Sequence, residues 1–142
     1  MPVDFPSGLS LSAMLDMQTM VPLVPGGGSG LGLGLATEFL PRGSPKVLIT
    51  GRREAVLREA ADQFPGKVFY LVSDAAKASD RVALLEWVQQ EHPDCTALVN
   101  NAGIQRRVSP SADTTCWEER ALEIETNLNA PIHLCMLFIP YF

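Results

Sequence analysis

Residues 22–32 read PLVPGGGSGLG, and this stretch decides the fold because its glycines stand between an apolar run and a helical pattern. Gly26, Gly30 and Gly32 give the spacing GxxxGxG. A helix N-terminus presents unpaired N–H groups with a partial positive charge, and glycine lets a phosphate approach the backbone closely. The stretch therefore predicts a phosphate-binding turn between a strand and a helix. No lysine follows the glycines, which argues against an ATP-type loop.

Strand-like and helix-like segments alternate along the chain. Apolar or β-branched runs predict strands at residues 21–24, 46–51, 67–72 and 96–100. Helical spacing predicts helices at residues 31–40 and 56–64, from a cap at Ser79 and Asp80 to Pro93, and from about residue 115 onwards. The third helix is expected to carry Val82, Leu85 and Val88 on its apolar face. This order predicts an α/β fold: a Rossmann-like doubly wound parallel sheet, truncated after about four strands and the following long helix.

Two prolines occupy the predicted first strand, which should be central in such a sheet. Pro22 lies inside the strand and Pro25 directly precedes the first glycine. Proline has no N–H to donate to a neighbouring strand, so each should remove one ladder hydrogen bond worth about 1 kcal/mol. We therefore expect the strand that supports the glycine turn to be weakened.

Length and composition indicate one domain preceded by an extension. The 142 residues suffice for a single core, and we expect residues 1–18 to be a poorly ordered extension, with an amphipathic helix at 9–17 as an alternative, and residues 19–142 to form the domain. The net charge of −5 argues against nucleic acid or anionic lipid as partners. Cys95, Cys116 and Cys135 form no CxxC pair, so no metal site is predicted.

The sequence carries no recognisable targeting or membrane signal. No lysine or arginine precedes Arg42, and no run of about 18 apolar residues occurs. We expect a cytoplasmic protein that does not enter a membrane.

The second predicted strand ends in TGRRE, where this architecture meets the adenosine ribose of a dinucleotide. An acidic residue there would accept hydrogen bonds from a free 2′-hydroxyl. Arg52 and Arg53 suit a 2′-phosphate instead, so NADP is favoured over NAD as the cofactor. The alternative is two solvated arginines at a helix start, although cations are mildly unfavourable at that end of a helix.

Further motifs carry a family resemblance. Residues 100–103 read NNAG at the end of the fourth predicted strand, and residues 125–128 read ETNL in the long helical stretch. Together with GGGSGLG, the GRR turn and the Ser73-Asp74 pair, they resemble the N-terminal, cofactor-binding half of a short-chain dehydrogenase/reductase over about residues 20–142. The stretch VNNAGIQR is similar to the DltE-type branch of NADP-dependent oxidoreductases.

The resemblance implies a role for each matching residue. The pyrophosphate would be held by the glycine turn, namely Gly26, Ser29, Gly30, Leu31 and Gly32. The 2′-phosphate would face Arg52 and Arg53, and Asp74 would bond the adenine amino group. The floor under the two riboses would be residues 100–103, including Asn100, Ala102 and Gly103. Asn127 matches the family's catalytic-site asparagine, which supports a water in the proton relay. Asp74 could instead be a turn residue, and Asn127 could cap or kink its helix before Pro131.

The family's reaction moves a hydride between nicotinamide and a carbonyl or alcohol carbon, and it needs a Tyr-x-x-x-Lys pair. Here Tyr70 is followed four residues later by Asp74, and Tyr141 is the penultimate residue. We therefore expect these 142 residues alone to be inactive. Three interpretations stay open: the cofactor-binding half of an NADP-dependent oxidoreductase, a non-catalytic nucleotide-binding module, or a truncated product without stable function.

The last residues predict self-association. Residues 132–142 read IHLCMLFIPYF, which is apolar around nearly the whole helix, and such a helix requires burial on every side. We expect the chain to associate with a partner or with itself through this segment.

Overall fold

A computed structural model describes residues 16–106 and 116–142 of the chain. Within them lie four strands: β1 (Pro22–Pro25), β2 (Val47–Gly51), β3 (Val68–Val72) and β4 (Ala97–Leu98). The helices are α1 (Gly30–Phe39), α2 (Glu54–Asp62), α3 (Ala78–Glu91), α4 (Trp117–Ile124) and α5 (Ala130–Phe138). A π-helical turn, Glu125–Asn129, joins α4 to α5. None of these helices is both long and apolar enough to span a bilayer.

The strands form one parallel sheet in the order β3-β2-β1-β4, which confirms the predicted α/β fold. β1 lies in the interior of the sheet between β2 and β4. Apolar side chains fill both faces, as expected of a doubly wound sheet. One face packs against α3 and α5 through a cluster that includes Leu23, Leu48, Leu84, Val88, Leu134 and Phe138. The other packs against α1 and α2 through Val24, Ile49, Ala36, Leu57 and Ala60.

Two predictions about α3 are wrong. The helix begins at Ala78 after Lys77, so Ser79 and Asp80 lie in its first turn instead of capping it. Of the three residues expected on its apolar face, Val88 is buried and Leu85 packs against the core, but Val82 is exposed, and Arg81 and Leu84 are buried instead. Arg81 can face inward because its guanidinium is hydrogen-bonded there.

The fourth strand is shorter than predicted, and only the end of the predicted N-terminal extension is described. β4 is only two residues long, shorter than the predicted strand at 96–100. Most of the predicted N-terminal extension, and of the alternative helix at 9–17, lies outside the described residues. Of that segment the structure describes a turn in which the Thr19 N–H donates to the Asp16 carbonyl.

β1 forms with both prolines fully buried, and the effect of each on the ladder can be located. The Val99 N–H donates to the Leu23 carbonyl at 2.8 Å, so the next bond along β4 would need a donor at Pro25. Proline provides none, which accounts for the early end of β4 at Leu98. The predicted loss of a ladder bond therefore falls at the strand end beside the glycine turn.

The hydrogen bond that Pro22 cannot donate is replaced by one from the Ser44 hydroxyl. The Gly26 N–H donates to the Thr50 carbonyl of β2. Every second residue of β1 donates to β2, so an N–H at position 22 would face the Lys46 carbonyl. The hydroxyl of Ser44 lies 2.9 Å from that carbonyl and 2.7 Å from the Met20 carbonyl. Ser44 is buried, so its hydroxyl supplies a donor that the proline cannot.

We predict that Ser44→Ala lowers the free energy of unfolding by about 1–3 kcal/mol, because the Met20 and Lys46 carbonyls lose the buried hydroxyl beside them. Urea denaturation of the whole chain measures this loss. The control Ser79→Ala removes an exposed hydroxyl and should change stability by less than about 0.5 kcal/mol.

The same substitution in a Pro22→Val background tests the mechanism. Valine restores an N–H opposite the Lys46 carbonyl, so the loss caused by Ser44→Ala should shrink. If Ser44→Ala lowers the free energy of unfolding equally in both backgrounds, the Ser44 hydroxyl does not serve the Lys46 carbonyl in place of Pro22, and its bond is to Met20 alone.

Candidate functional site

A cleft of about 660 Å³ opens at the carboxyl edge of the sheet, where parallel strands deliver their loops to one place. Its walls come from the turn after β1, the end of β2, the turn after β3 and the segment after β4. Nine of the residues singled out from the sequence line it: Gly26, Ser29, Leu31, Gly32, Arg52, Arg53, Asp74, Ala102 and Gly103. Gly30, Asn100 and Asn127 lie outside this lining.

The glycine turn brings the start of α1 against the end of β1. Gly26 has a φ of 75°, a conformation that favours glycine. A Cβ on Gly32 would lie 2.2 Å from the Gly26 carbonyl oxygen, so no side chain fits there. The first α1 bond runs from the Leu33 N–H to the Ser29 carbonyl at 3.2 Å. The N–H groups of residues 30–32 therefore have no intrahelical acceptor and are available to an anion.

Asn101 fastens this turn to the segment after β4. Its Nδ2 donates to the Pro25 carbonyl at 3.1 Å and to the Gly26 carbonyl at 3.3 Å. Sequence reasoning placed Asn101 in the ribose floor with its neighbours and gave it no separate role. Its position just past β4, beside the central strand, is the only signal that could have indicated this bond.

The two arginines stand exposed at the end of β2. Arg53 is the residue before α2, and the side chains of Arg52 and Arg53 both line the cleft. Neither has an ion-pair partner among residues 16–106 and 116–142. Their positive charge is therefore available to a ligand in the cleft.

Asp74 lines the cleft and also forms a turn. One carboxylate oxygen accepts the Ala76 N–H at 3.1 Å, while its own N–H donates to the Asp80 carboxylate at 2.9 Å. Asp74 thus has the local geometry of a turn residue. It also lies in the cleft wall, which fits the interpretation that it binds a ligand.

Asn127 lies in the π-helical turn and binds the backbone of the segment after NNAG. Its Oδ1 accepts the Ile104 N–H at 2.8 Å, and its Nδ2 donates to the Ile104 carbonyl at 2.7 Å. Two bonds to one residue fix the distance between the long helix and the cleft floor. Asn100 is directed elsewhere, with its Nδ2 at 3.3 Å from the Cys135 Sγ.

Glu125 opens the same π-helical turn with a strongly bound carboxylate. It accepts the Asn129 amide at 2.7 Å and the Arg81 guanidinium at 3.0 Å. These bonds favour the ionised form and lower the pKa of the Glu125 carboxyl below its usual value. The group is therefore charged at neutral pH.

No group of three or more His, Cys, Asp or Glu side chains in the described part of the chain is arranged to hold a metal ion. The three cysteines are free thiols, and burial raises the pKa of the Cys95 thiol to about 11.

Comparisons with known proteins agree with this geometry. The short chain dehydrogenase family model matches residues 20–142. An uncharacterized oxidoreductase, DltE of Bacillus subtilis, is 43% identical over 119 residues, which are 84% of this chain and 46% of that protein. An NADP-dependent (R)-specific alcohol dehydrogenase of Lentilactobacillus kefiri is 34% identical over 111 residues, 77% of this chain and 43% of that protein.

A solved structure superposes on the same region. L-sorbose reductase of Gluconobacter frateurii, complexed with NADPH and L-sorbose, aligns with a TM-score of 0.76 and 25% identity. The alignment covers 89% of this chain and 49% of that one. The chain thus spans about half the length of the proteins it matches.

We predict opposite effects for two glycine-to-alanine changes in α1. Gly32→Ala should destabilise the protein by at least about 1 kcal/mol, because its Cβ would overlap the Gly26 carbonyl. Gly34→Ala places its Cβ in open space and should stabilise the helix by about 0.5–1 kcal/mol. Thermal and urea unfolding of the two variants measure the difference. A neutral Gly32→Ala would contradict the close contact between the turn and β1.

Proposed function

The chain belongs to the short-chain dehydrogenase family, and on that premise we propose that its cleft binds NADP(H) for an oxidoreductase. The nicotinamide, when bound, supplies hydride exchange with a carbonyl or alcohol carbon. The observation that carries the proposal is the combination, in one cleft, of a glycine turn at a helix N-terminus with two uncommitted arginines at the end of β2.

The glycine turn fits a pyrophosphate. Gly30 has a φ of 55°, and a Cβ there would meet nothing within 4 Å, so the backbone is open on its ligand side. Ser29 makes no side-chain cap bond to α1, which leaves both its hydroxyl and the first helical N–H groups for phosphate oxygens. We assign Gly26, Ser29, Gly30, Leu31 and Gly32 to this role.

The charge at the end of β2 favours NADP over NAD. A 2′-phosphate accepts planar, charge-assisted hydrogen bonds from guanidinium groups, whereas a free 2′-hydroxyl would be matched by a carboxylate. Arg52 and Arg53 supply the first arrangement, and Glu54 is bonded to Arg58 at 2.8 Å and so directed away. The relative from Lentilactobacillus kefiri and the sorbose reductase complex carry NADP and NADPH in their names, in line with this assignment.

The remaining residues have proposed places along the dinucleotide. Asp74 would bond the adenine amino group through the carboxylate oxygen not used by Ala76. Ala102 and Gly103 would lie under the riboses with Asn100 beside them. Asn127 would support a water in the proton relay, its side chain being held by Ile104.

The chain's own contribution to the reaction is to bind and orient the cofactor. Neither of its tyrosines is followed four residues later by lysine, so no acid/base of the Tyr-x-x-x-Lys type is present in these 142 residues. Carbonyl reduction by the longer proteins of the family is therefore proposed here only as the activity that this cofactor-binding unit serves.

We predict that the chain binds NADPH more tightly than NADH and that Arg52→Asp abolishes the preference. Loss of one charge-assisted bond, with charge reversal, should weaken NADPH binding by about tenfold or more and leave NADH binding little changed. Titration of both nucleotides by fluorescence measures the two affinities.

Lys67→Asp is the matched control for this titration. It makes the same charge change at an exposed residue just before β3, at the opposite edge of the sheet, and should preserve the preference. Equal affinities in the wild-type chain, or tighter NADH binding, would contradict the arginine assignment.

We also propose that a second copy of the chain covers the outer side of the long helix. The inner side is buried within the chain, at Leu134 and Phe138. The outer side leaves a stripe of large apolar side chains exposed, at Ile124, Leu128, Ile132, Met136 and Ile139. Each is worth about 1.5–3 kcal/mol when fully buried, which favours association.

Met136→Glu should shift the chain towards the monomer, because the charge would have to be buried in the contact. Val82→Glu, at an exposed apolar residue of α3, should leave the assembly unchanged. Size-exclusion chromatography with light scattering decides this. A monodisperse wild-type monomer of 15.4 kDa at micromolar concentration would contradict the proposal.

A further inference from the structure

A buried arginine on α3 makes hydrogen bonds to three separate parts of the chain. Nη1 of Arg81 donates to the Ala75 carbonyl in the turn after β3. Nε donates to Nδ1 of His133 on α5 at 2.9 Å, and Nη2 donates to Glu125 at 3.0 Å. Only 5% of the Arg81 side chain is exposed. Each of the three guanidinium nitrogens therefore donates a hydrogen bond inside the protein.

Two of these partners adjoin opposite walls of the cleft. Ala75 belongs to the turn that lines the wall assigned to adenine, together with Asp74 and Ala76. Glu125 directly precedes Thr126, which lines the opposite wall, and stands two residues before Asn127. One guanidinium thus connects the two walls from behind, without lining the cleft itself.

Stability alone does not require a cation at this position. A buried ion pair can often be replaced by apolar side chains of similar volume without loss of stability. Leu84 and Val88 occupy the next inward positions of α3, so Arg81 is the one charged residue among the three buried residues of this helix. A planar fork with donors in several directions is what Arg81 provides and what lysine could not, since a single ammonium cannot reach three separated acceptors.

The partners of Arg81 are themselves held in place. The other oxygen of Glu125 accepts the Asn129 amide, which spans the π-helical turn, and such turns occur frequently at functional sites. On the other wall, Asp80, the neighbour of Arg81 on α3, accepts the Asp74 N–H at 2.9 Å. Two consecutive residues of α3 therefore bond the adenine-side turn, and one of them also bonds the π-helical turn.

We propose that Arg81 is a positioning residue that sets the spacing between the adenine-side turn and the π-helical turn, so that one dinucleotide can engage both walls. The proposal rests on the dinucleotide function proposed above. Arg81 touches neither cofactor nor substrate in this role. It acts through Ala75 on one side and through Glu125 on the other.

Hydrogen exchange of the whole chain tests the connection without a ligand. Glu125→Ala removes one partner of Arg81, so amide exchange should rise in the adenine-side turn on the other wall, at residues 76 and 77, whose N–H groups donate to Asp74 within that turn. Glu123→Ala, two residues earlier on α4, is the control, because the Glu123 carboxylate accepts the Arg106 N–H of the segment after β4 and has no bond to Arg81. Unchanged exchange at residues 76 and 77 in Glu125→Ala would overturn the proposal.

Binding measurements test what the spacing does. Glu125→Ala should weaken the binding of NADPH, which spans both walls, by about tenfold. It should weaken the binding of 2′,5′-ADP, which occupies only the adenine side, by less than about threefold. Arg81→Met and the double variant Arg81→Met/Glu125→Ala should also weaken NADPH binding. Because both substitutions break the same connection, their effects should not add, and the double variant should bind NADPH as weakly as the weaker-binding single variant. A merely structural role would lower the unfolding temperature and leave the ratio of the two affinities unchanged.

The outcomes separate the two proposals. If the wild-type chain binds neither NADPH nor 2′,5′-ADP, the dinucleotide function is wrong, and the exchange experiment alone decides whether Arg81 connects the walls. If it binds both and the affinity ratio is the same in Glu125→Ala, the function stands and the positioning role is wrong. Should Arg81→Met fail to fold, Arg81→Lys replaces it and is expected to show the same selective loss of NADPH.

Discussion

The contact between the backbones of Gly26 and Gly32 is the constraint on which the rest of the structure depends. It holds the N-terminus of α1 against the end of β1 at a distance that leaves no room for a Cβ. Because β1 is flanked by β2 and β4, this contact places the unpaired helical N–H groups at the carboxyl edge of the sheet. The cleft, and the charges that line it, are arranged around that point.

A central strand with two buried prolines is possible here because neither proline leaves a long run of the ladder without donors. The Ser44 hydroxyl lies beside the Lys46 carbonyl that Pro22 cannot serve, and the ladder with β4 ends where Pro25 would have to donate. The backbone groups of a central strand cannot reach water, so an uncompensated loss would cost more than one ladder bond. The strand therefore keeps its place in the sheet, and the cost appears as an early end of β4.

Three arginines at or behind the cleft, Arg52, Arg53 and Arg81, differ in exposure and in their partners. Arg52 and Arg53 are exposed and uncommitted to any described acidic group, so their charge is available to an anion. Arg81 is buried, pairs with Glu125 and donates from each guanidinium nitrogen within the protein, in line with the positioning role proposed for it. Exposure and partners, and not residue type, separate a ligand-binding cation from a positioning one.

The sequence by itself determined the fold class, the glycine turn and the charge at the end of β2. Local signals suffice for these features: the alternation of apolar periods, glycine spacing, and two arginines directly after a strand. Tertiary structure decided which face of α3 is buried, because Val82 and Leu84 offer similar apolar faces and the buried one also carries Arg81, whose partners lie on other elements. It also decided the roles of Ser44 and Asn101, because Ser44 meets β1 through the Met20 carbonyl 24 residues away and Asn101 meets the Pro25 carbonyl 76 residues away. Hydrogen bonds between residues so distant in sequence leave no periodic pattern, so they become visible only when the sheet has brought the partners together.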